Sequence, residues 1–195
     1  LLRNPDKSKL SKRKNPVWAS WYLQQGFLPE AVLNYLSLMG WSHPKQKEIF
    51  DMDEFIKVFD LKDMKPVGPA FDVVKLEWMN GMYLRNMSLE DYELRITNFI
   101  GDKYPKELVK KTLPLVKERI KKLSDYLPLC NFFFETPKKH EVDLKKHKDL
   151  IGKMHEVLAG LKDWKADKIG DVLQGLAEKE GVKNSEFFMI VRVLI

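Results

Sequence analysis

The sequence predicts an all-α fold, on three observations. Apolar residues recur at spacings of three and four through nearly the whole chain. Helix-start residues (Asp, Ser, Pro) and stop residues (Gly, Pro) bracket those stretches. Only Phe187–Ile195 has the β-branched and aromatic content of a strand, and the second half offers it no evident partner. With 195 residues, 44% of them hydrophobic, the chain is long enough to bury a sizeable core. About 70% of the unfolded surface goes inside at this size.

Pro29 opens the first clear helix, at a position where its missing N–H costs nothing. Val32, Leu33, Leu36 and Met39 are expected on its inner face, and Gly40 is the stop. Asp51 caps a short helix that should bury Phe55, Ile56 and Phe59. Met64–Pro69 is rich in breakers and reads as a connection. Asp72 caps a longer helix with Leu76, Met79, Tyr83 and Leu84 inward; Gly81, mid-helix, implies a close packing contact. Ser88, with Glu90 and Asp91 behind it, starts the next helix.

Pro105 and Pro114 each punctuate a helix, the second displaying Val116, Ile120 and Leu123. A further run spans Leu129–Phe134 and ends near Thr136-Pro137. Leu144, His147, Ile151, Met154, Leu158 and Leu161 form a helix seam; Ile169, Val172, Leu173 and Leu176 repeat it up to Gly181. Asn184-Ser185-Glu186 is a helix start, so Phe187–Ile195 is assigned as helix despite its composition. The expected division is 1–14, 15–87 and 88–195, with a softer boundary near 136.

Charge is concentrated at the front. Leu1–Lys14 holds six Lys or Arg against one acid, Asp6, while the whole chain is only +6, so the rest is nearly neutral. Within it Lys9-Leu10-Ser11-Lys12-Arg13 sets two lysines around a serine in a mobile basic segment, which suits a polyphosphate. A solvated tail has the same composition. The single Cys130 excludes an intramolecular disulfide and fits a reducing, cytoplasmic setting. No apolar run reaches the roughly 18 residues that span a bilayer, so no membrane partner is expected. His43, His140, His147 and His155 do not form a metal set, and no metal site is expected.

Beyond Lys14 only Arg85, Arg95, Arg119 and Arg192 are arginines, against 24 lysines, so arginine is used sparingly. Arg119 flanks an apolar stripe, where its planar head could stack on or pair with an exposed base; a head resting in water is the plain alternative. Arg192 is the only charge in Phe187–Ile195 and needs a partner or a surface. Arg85, ending the Asp72 helix, is placed to meet the terminal carbonyls. The five tryptophans could stack on bases, but at helical spacing core is the expected place.

The basic front, the run Gly26-Phe-Leu-Pro-Glu-Ala-Val-Leu-Asn-Tyr-Leu-Ser-Leu-Met-Gly40 and Phe71-Asp-Val-Val-Lys-Leu-Glu-Trp-Met-Asn-Gly81 together resemble bacterial-type glutamyl-tRNA synthetase, a class I aminoacyl-tRNA synthetase. The likeness is close over roughly the first 100 residues and scattered after that. It implies that Lys9–Arg13 is the loop that closes over ATP, with Lys12 in the main catalytic role and Lys9, Ser11 and Arg13 assisting. It implies a helical stem-contact region followed by an α-helix cage for the anticodon. Arg119 then faces the last anticodon base and Arg192 the middle one.

The implied partners are tRNA, together with ATP, Mg2+ and glutamate held by a catalytic domain outside this sequence, in a monomer. The chain itself is expected to be an inactive internal fragment. A stand-alone, non-catalytic tRNA-binding paralogue is the alternative, and a helical scaffold with no RNA role is a third reading.

Overall fold

The computed structural model describes residues 3–4, 6–10, 18–65, 68–136 and 143–194. Ser11, Lys12 and Arg13 lie outside the described residues, as does His140. The chain folds as two compact units, Leu1–Phe134 and Glu135–Ile195, and is all-α. Among the described residues the only extended pairings are two isolated bridges, from Arg3 to Lys9 and from Arg3 to Ala70.

The first unit contains α1 (Ala19–Gln24), α2 (Pro29–Ser37), α3 (Met52–Val58), α4 (Val73–Asn86), α5 (Leu89–Ile100), α6 (Lys106–Val116) and α7 (Tyr126–Cys130). The caps are those the sequence announces. Asp51 accepts the Glu54 N–H, Asp72 those of Val74 and Lys75, and Ser88 that of Asp91. Each such cap contributes about 1 kcal/mol. Leu28, Ala31, Leu84, Tyr92, Ile96, Leu113, Val116, Ile120, Tyr126 and Cys130 form one continuous core that joins α2 and α4 to α5–α7. A second cluster, Tyr22, Phe27, Tyr35, Leu76 and Met79, lies beside it.

Four expectations need correction. The buried face of α2 is Ala31, Asn34 and Tyr35, while Leu33 and Leu36 are 48% and 42% exposed. Hydrogen bonding decides this: Asn34 Oδ1 accepts from Phe50 N–H (3.2 Å) and the Tyr83 hydroxyl (2.9 Å), and the Tyr35 oxygen accepts the Asp72 N–H (2.6 Å). Polar groups so bonded are buried in preference to leucines, which tolerate water at modest cost. In α3, Ile56 points outward at 70% exposure, because the local core is an aromatic nest of Phe55, Phe59 and Phe50 around Trp41.

The third correction concerns Pro114, which lies inside the last turn of α6 instead of starting a helix of its own. It removes an N–H and crowds the carbonyl of Lys110, so the helix closes at Val116 and the chain turns over 117–122. Ile120 is still fully buried, but from that turn.

The fourth is the mobility expected of the basic front, and it concerns only the described residues up to Leu10. Residues 3–4 and 6–9 close on one another: Asn4 N–H donates to the Ser8 carbonyl (2.8 Å) and Ser8 N–H to Asp6 (2.9 Å). Arg3 is pinned at both backbone groups, to Pro69 O (3.0 Å) and Phe71 N (2.7 Å).

Among the described residues the second unit holds three α-helices, α8 (Lys148–Ala159), α9 (Ala166–Lys179) and α10 (Asn184–Leu194). Met154, Leu173, Leu176, Ala177, Phe187 and Ile190 are its core. The strand-like segment is therefore helical. Its spacing puts Phe187 and Ile190 on one face, both fully buried, and burying each side chain contributes about 1.5–3 kcal/mol. Strand propensity spans only about 1 kcal/mol and depends on neighbours to pair with.

Candidate nucleic-acid interface

The turn after α6 is held by backbone captures from other elements. Lys121 and Lys122 N–H donate to Asp125 Oδ2 (3.0 and 3.1 Å), Asn80 Nδ2 donates to the Lys121 carbonyl (2.6 Å), and Leu123 N–H donates to the Gly26 carbonyl (2.9 Å). At the near end Lys117 Nζ reaches the Met87 carbonyl (2.5 Å) and sits 5.8 Å from the Tyr92 ring centroid. Lys122 Nζ bridges Glu77 (3.1 Å) and Asp125 (2.9 Å).

Arg119 lies between these anchors, on the turn and not on a helix. Its N–H closes on the Val116 carbonyl at 2.8 Å, its side chain is exposed, and it forms no ion pair among the described residues. An arginine on a pinned loop with its planar donor face unclaimed can meet a base edge or stack on a base.

Behind this turn Cys130 is fully buried. Burial pushes its thiol up, opposed by a Thr112 hydrogen bond and the Arg119 charge. The thiolate is the reactive form, so we expect Cys130 to resist alkylation in the native protein near pH 8 and to label on unfolding. Rapid native labelling, followed by mass spectrometry, would contradict this placement.

Arg192 belongs to the second unit, in the last turn of α10, and its side chain is exposed. Phe188 and Met189, four and three residues earlier, are 36% and 42% exposed on the same side. That patch combines an apolar surface with a guanidinium, which suits an unstacked base. Lys9 also has an exposed side chain, although its backbone takes part in the bridge to Arg3.

The other arginines are placed differently. Arg85 does not reach the carbonyls ending α4; its guanidinium folds back beside Gly81 and lies 3.1 Å from the Met82 sulfur. A Cβ on Gly81 would sit 3.1 Å from Arg85 and 3.5 Å from the Lys121 Cα, which is the close contact its mid-helix position implied. Arg95 pairs with Glu30 (2.8 Å) at a partly exposed site, a pair worth little. Of the tryptophans Trp41 is core, whereas Trp18, Trp78 and Trp164 are 60%, 41% and 64% exposed. Among the described residues no cluster of His, Cys, Asp or Glu could hold a metal ion, and no helix is long and apolar enough to cross a membrane.

The turn that carries Arg119, and the face that carries Arg192, both fall inside residues 82–195, which match the family model for an anticodon binding domain. Residues 1–78 match that of the catalytic domain of class I tRNA synthetases (E and Q). The chain belongs to the class I glutamyl/glutaminyl tRNA synthetase family. Curated members similar to it include a glutamate–tRNA ligase of Pseudomonas fluorescens, 39% identical over 191 residues, covering 94% of this chain and 38% of that protein. One from Saccharophagus degradans is 37% identical over 203 residues, covering 100% and 40%. A crystal structure of a glutamate tRNA ligase from Elizabethkingia meningosepticum in complex with its amino acid superposes with a TM-score of 0.71 at 31% identity, over 94% of this chain and 42% of that one. The chain thus spans about two fifths of the length of the synthetases it matches. The seam between the two matched regions, residues 79–81, lies within α4.

Proposed function

We propose that this chain is the tRNA-binding part of a glutamate–tRNA ligase, a cytoplasmic and monomeric enzyme that activates glutamate with ATP and Mg2+ and transfers it to glutamate tRNA. In this reading residues 1–14 carry the loop that closes over ATP, 15–87 contact the tRNA stem and 88–195 bind the anticodon. Lys12 acts on the departing pyrophosphate, helped by Lys9, Ser11 and Arg13. Arg119 contacts the last anticodon base and Arg192 the middle one. The observation that carries the reading is Arg119: an exposed guanidinium without an ion pair among the described residues, on a turn fixed at both ends, inside the region that matches an anticodon binding domain.

The test is binding of this chain to glutamate tRNA and to the same tRNA with its final anticodon base changed, for wild type and Arg119→Gln. One bidentate base contact contributes about 1–3 kcal/mol of discrimination, a ratio of about 5-fold to 150-fold. The variant should bind the two RNAs nearly equally. A wild-type protein that fails to tell them apart, or a variant that still does, would refute the assignment.

A further inference from the structure

Asn80 lies in the middle of α4 with none of its surface exposed, and it reaches two distant stretches of backbone. Its Oδ1 accepts the Leu28 N–H at 2.7 Å, and its Nδ2 donates to the Lys121 carbonyl at 2.6 Å. Only one orientation of the amide satisfies both, because one end must accept and the other donate. Leu28 is 1% exposed, so its N–H has no route to water. A buried backbone group left unbonded is unfavourable, which makes the Leu28 contact obligatory for this arrangement and fixes the direction in which the amide offers its donor to Lys121.

The same three segments are joined around Asn80. Leu123 N–H bonds to the Gly26 carbonyl (2.9 Å) and the Ser124 hydroxyl to the Gln25 carbonyl (2.7 Å). Gly81, the next residue, lets the Lys121 backbone lie close against α4. Asn80 itself stands at the seam of the two family regions; it holds Leu28 of the first and Lys121 of the second.

We propose that Asn80 is a positioning residue for Arg119. It fixes the far end of the 117–122 turn, two residues beyond Arg119, as Lys117 fixes the near end. A guanidinium that must meet a base edge needs placement within about 0.5 Å and 10–20°. With the Lys121 carbonyl released, the far end is left to Asp125 and Gly26 alone, so Arg119 would point over a wider arc and lose selectivity before it lost affinity. The inference rests on the role assigned to Arg119 above.

The experiment compares wild type, Asn80→Asp, Arg119→Gln and the double variant in the same two-tRNA assay. Asn80→Asp keeps the acceptor for Leu28 and removes the donor for Lys121. We expect it to lose most of the discrimination ratio, with a smaller change in affinity for the altered tRNA. The double variant should discriminate no worse than Arg119→Gln alone, since both changes act through one side chain. Equal weakening on both RNAs, or losses that multiply in the double variant, would show a merely structural role and overturn the proposal.

If Arg119→Gln alone has no effect, the reading of Arg119 fails first, and that outcome is separable from a failure at Asn80. Hydrogen exchange without RNA gives a second readout: Asn80→Asp should speed exchange over 117–124 specifically, and unchanged protection there overturns the proposal. Should the buried carboxylate prevent folding, Ser124→Ala removes the neighbouring bond without introducing charge. It should lower the ratio part-way and speed exchange in the same segment; wild-type behaviour in both would count against the inference.

Discussion

Gly26→Ala is expected to destabilise the first unit by about 3 kcal/mol or more, measured as a drop in the urea midpoint. Two contributions add. Gly26 has φ +78°, a left-handed conformation in which an L side chain costs about 1–2 kcal/mol. The new Cβ would also lie 2.8 Å from both the Leu123 Cβ and the Ser124 N, and 2.9 Å from the Leu123 N. Those atoms cannot drift aside cheaply, because Leu123 N–H bonds back to the Gly26 carbonyl and the Ser124 hydroxyl to Gln25. Overpacking against a fixed neighbour costs about 1–3 kcal/mol. Gly181→Ala separates the two contributions: its φ is +65° and its helix closes as at Gly26, with Val182 N–H on the Ala177 carbonyl as Phe27 N–H is on that of Tyr22, yet nothing lies within 4 Å of an added Cβ. That variant should lose only the conformational part. If the two alanines cost the same, the close approach of the 25–28 turn to the 121–124 strip carries no weight.

The contrast between these glycines shows where sequence reading reaches and where it stops. Caps were legible because they depend on one side chain and the backbone two or three residues on: Asp51, Asp72 and Ser88 all behave as their local sequence requires. The helical state of Phe187–Leu194 was legible from its start residues against its composition. The orientation of α2 was not, because Asn34 and Tyr35 are buried by bonds to Phe50, Tyr83 and Asp72, which lie 16 to 49 residues away. The same limit hid Asn80, whose only local hint is an asparagine between Met79 and Gly81 on an apolar face; its partners are 52 and 41 residues distant.

Arg119 has the exposed side chain that its place beside an apolar stripe allows, but it lies on a turn and not on the helix that the spacing of Val116, Ile120 and Leu123 suggests. Spacing records only which residues face inward. It does not record that Asn80, Asp125 and Gly26 take the backbone groups of 121–123 out of helical bonding.

In an intact synthetase, Lys12→Ala is expected to slow glutamate-dependent pyrophosphate exchange by about 10²–10³-fold, the size of losing one preorganised charge partner at a developing anion. In that step glutamate attacks the ATP α-phosphate and pyrophosphate leaves, so negative charge grows on the leaving oxygens as the bond breaks. An ammonium group that meets this charge stabilises the transition state more than bound ATP, and its loss should fall on kcat more than on the KM for glutamate. Lys12→Arg keeps the charge but replaces a compact ammonium with a planar fork, so only partial activity is expected to return.

Lys9→Ala should cost less, because the backbone of Lys9 is tied through Arg3 to Pro69 and Phe71, which limits how far its amine can follow the reaction. Binding of tRNA to the Lys12 variant should be unchanged, since the anticodon contacts proposed for Arg119 and Arg192 lie in other parts of the chain. An exchange rate equal to wild type would remove Lys12 from the mechanism. A loss confined to the KM for ATP would instead make it a ground-state ligand of the nucleotide, with no part in the charge that appears as the bond breaks.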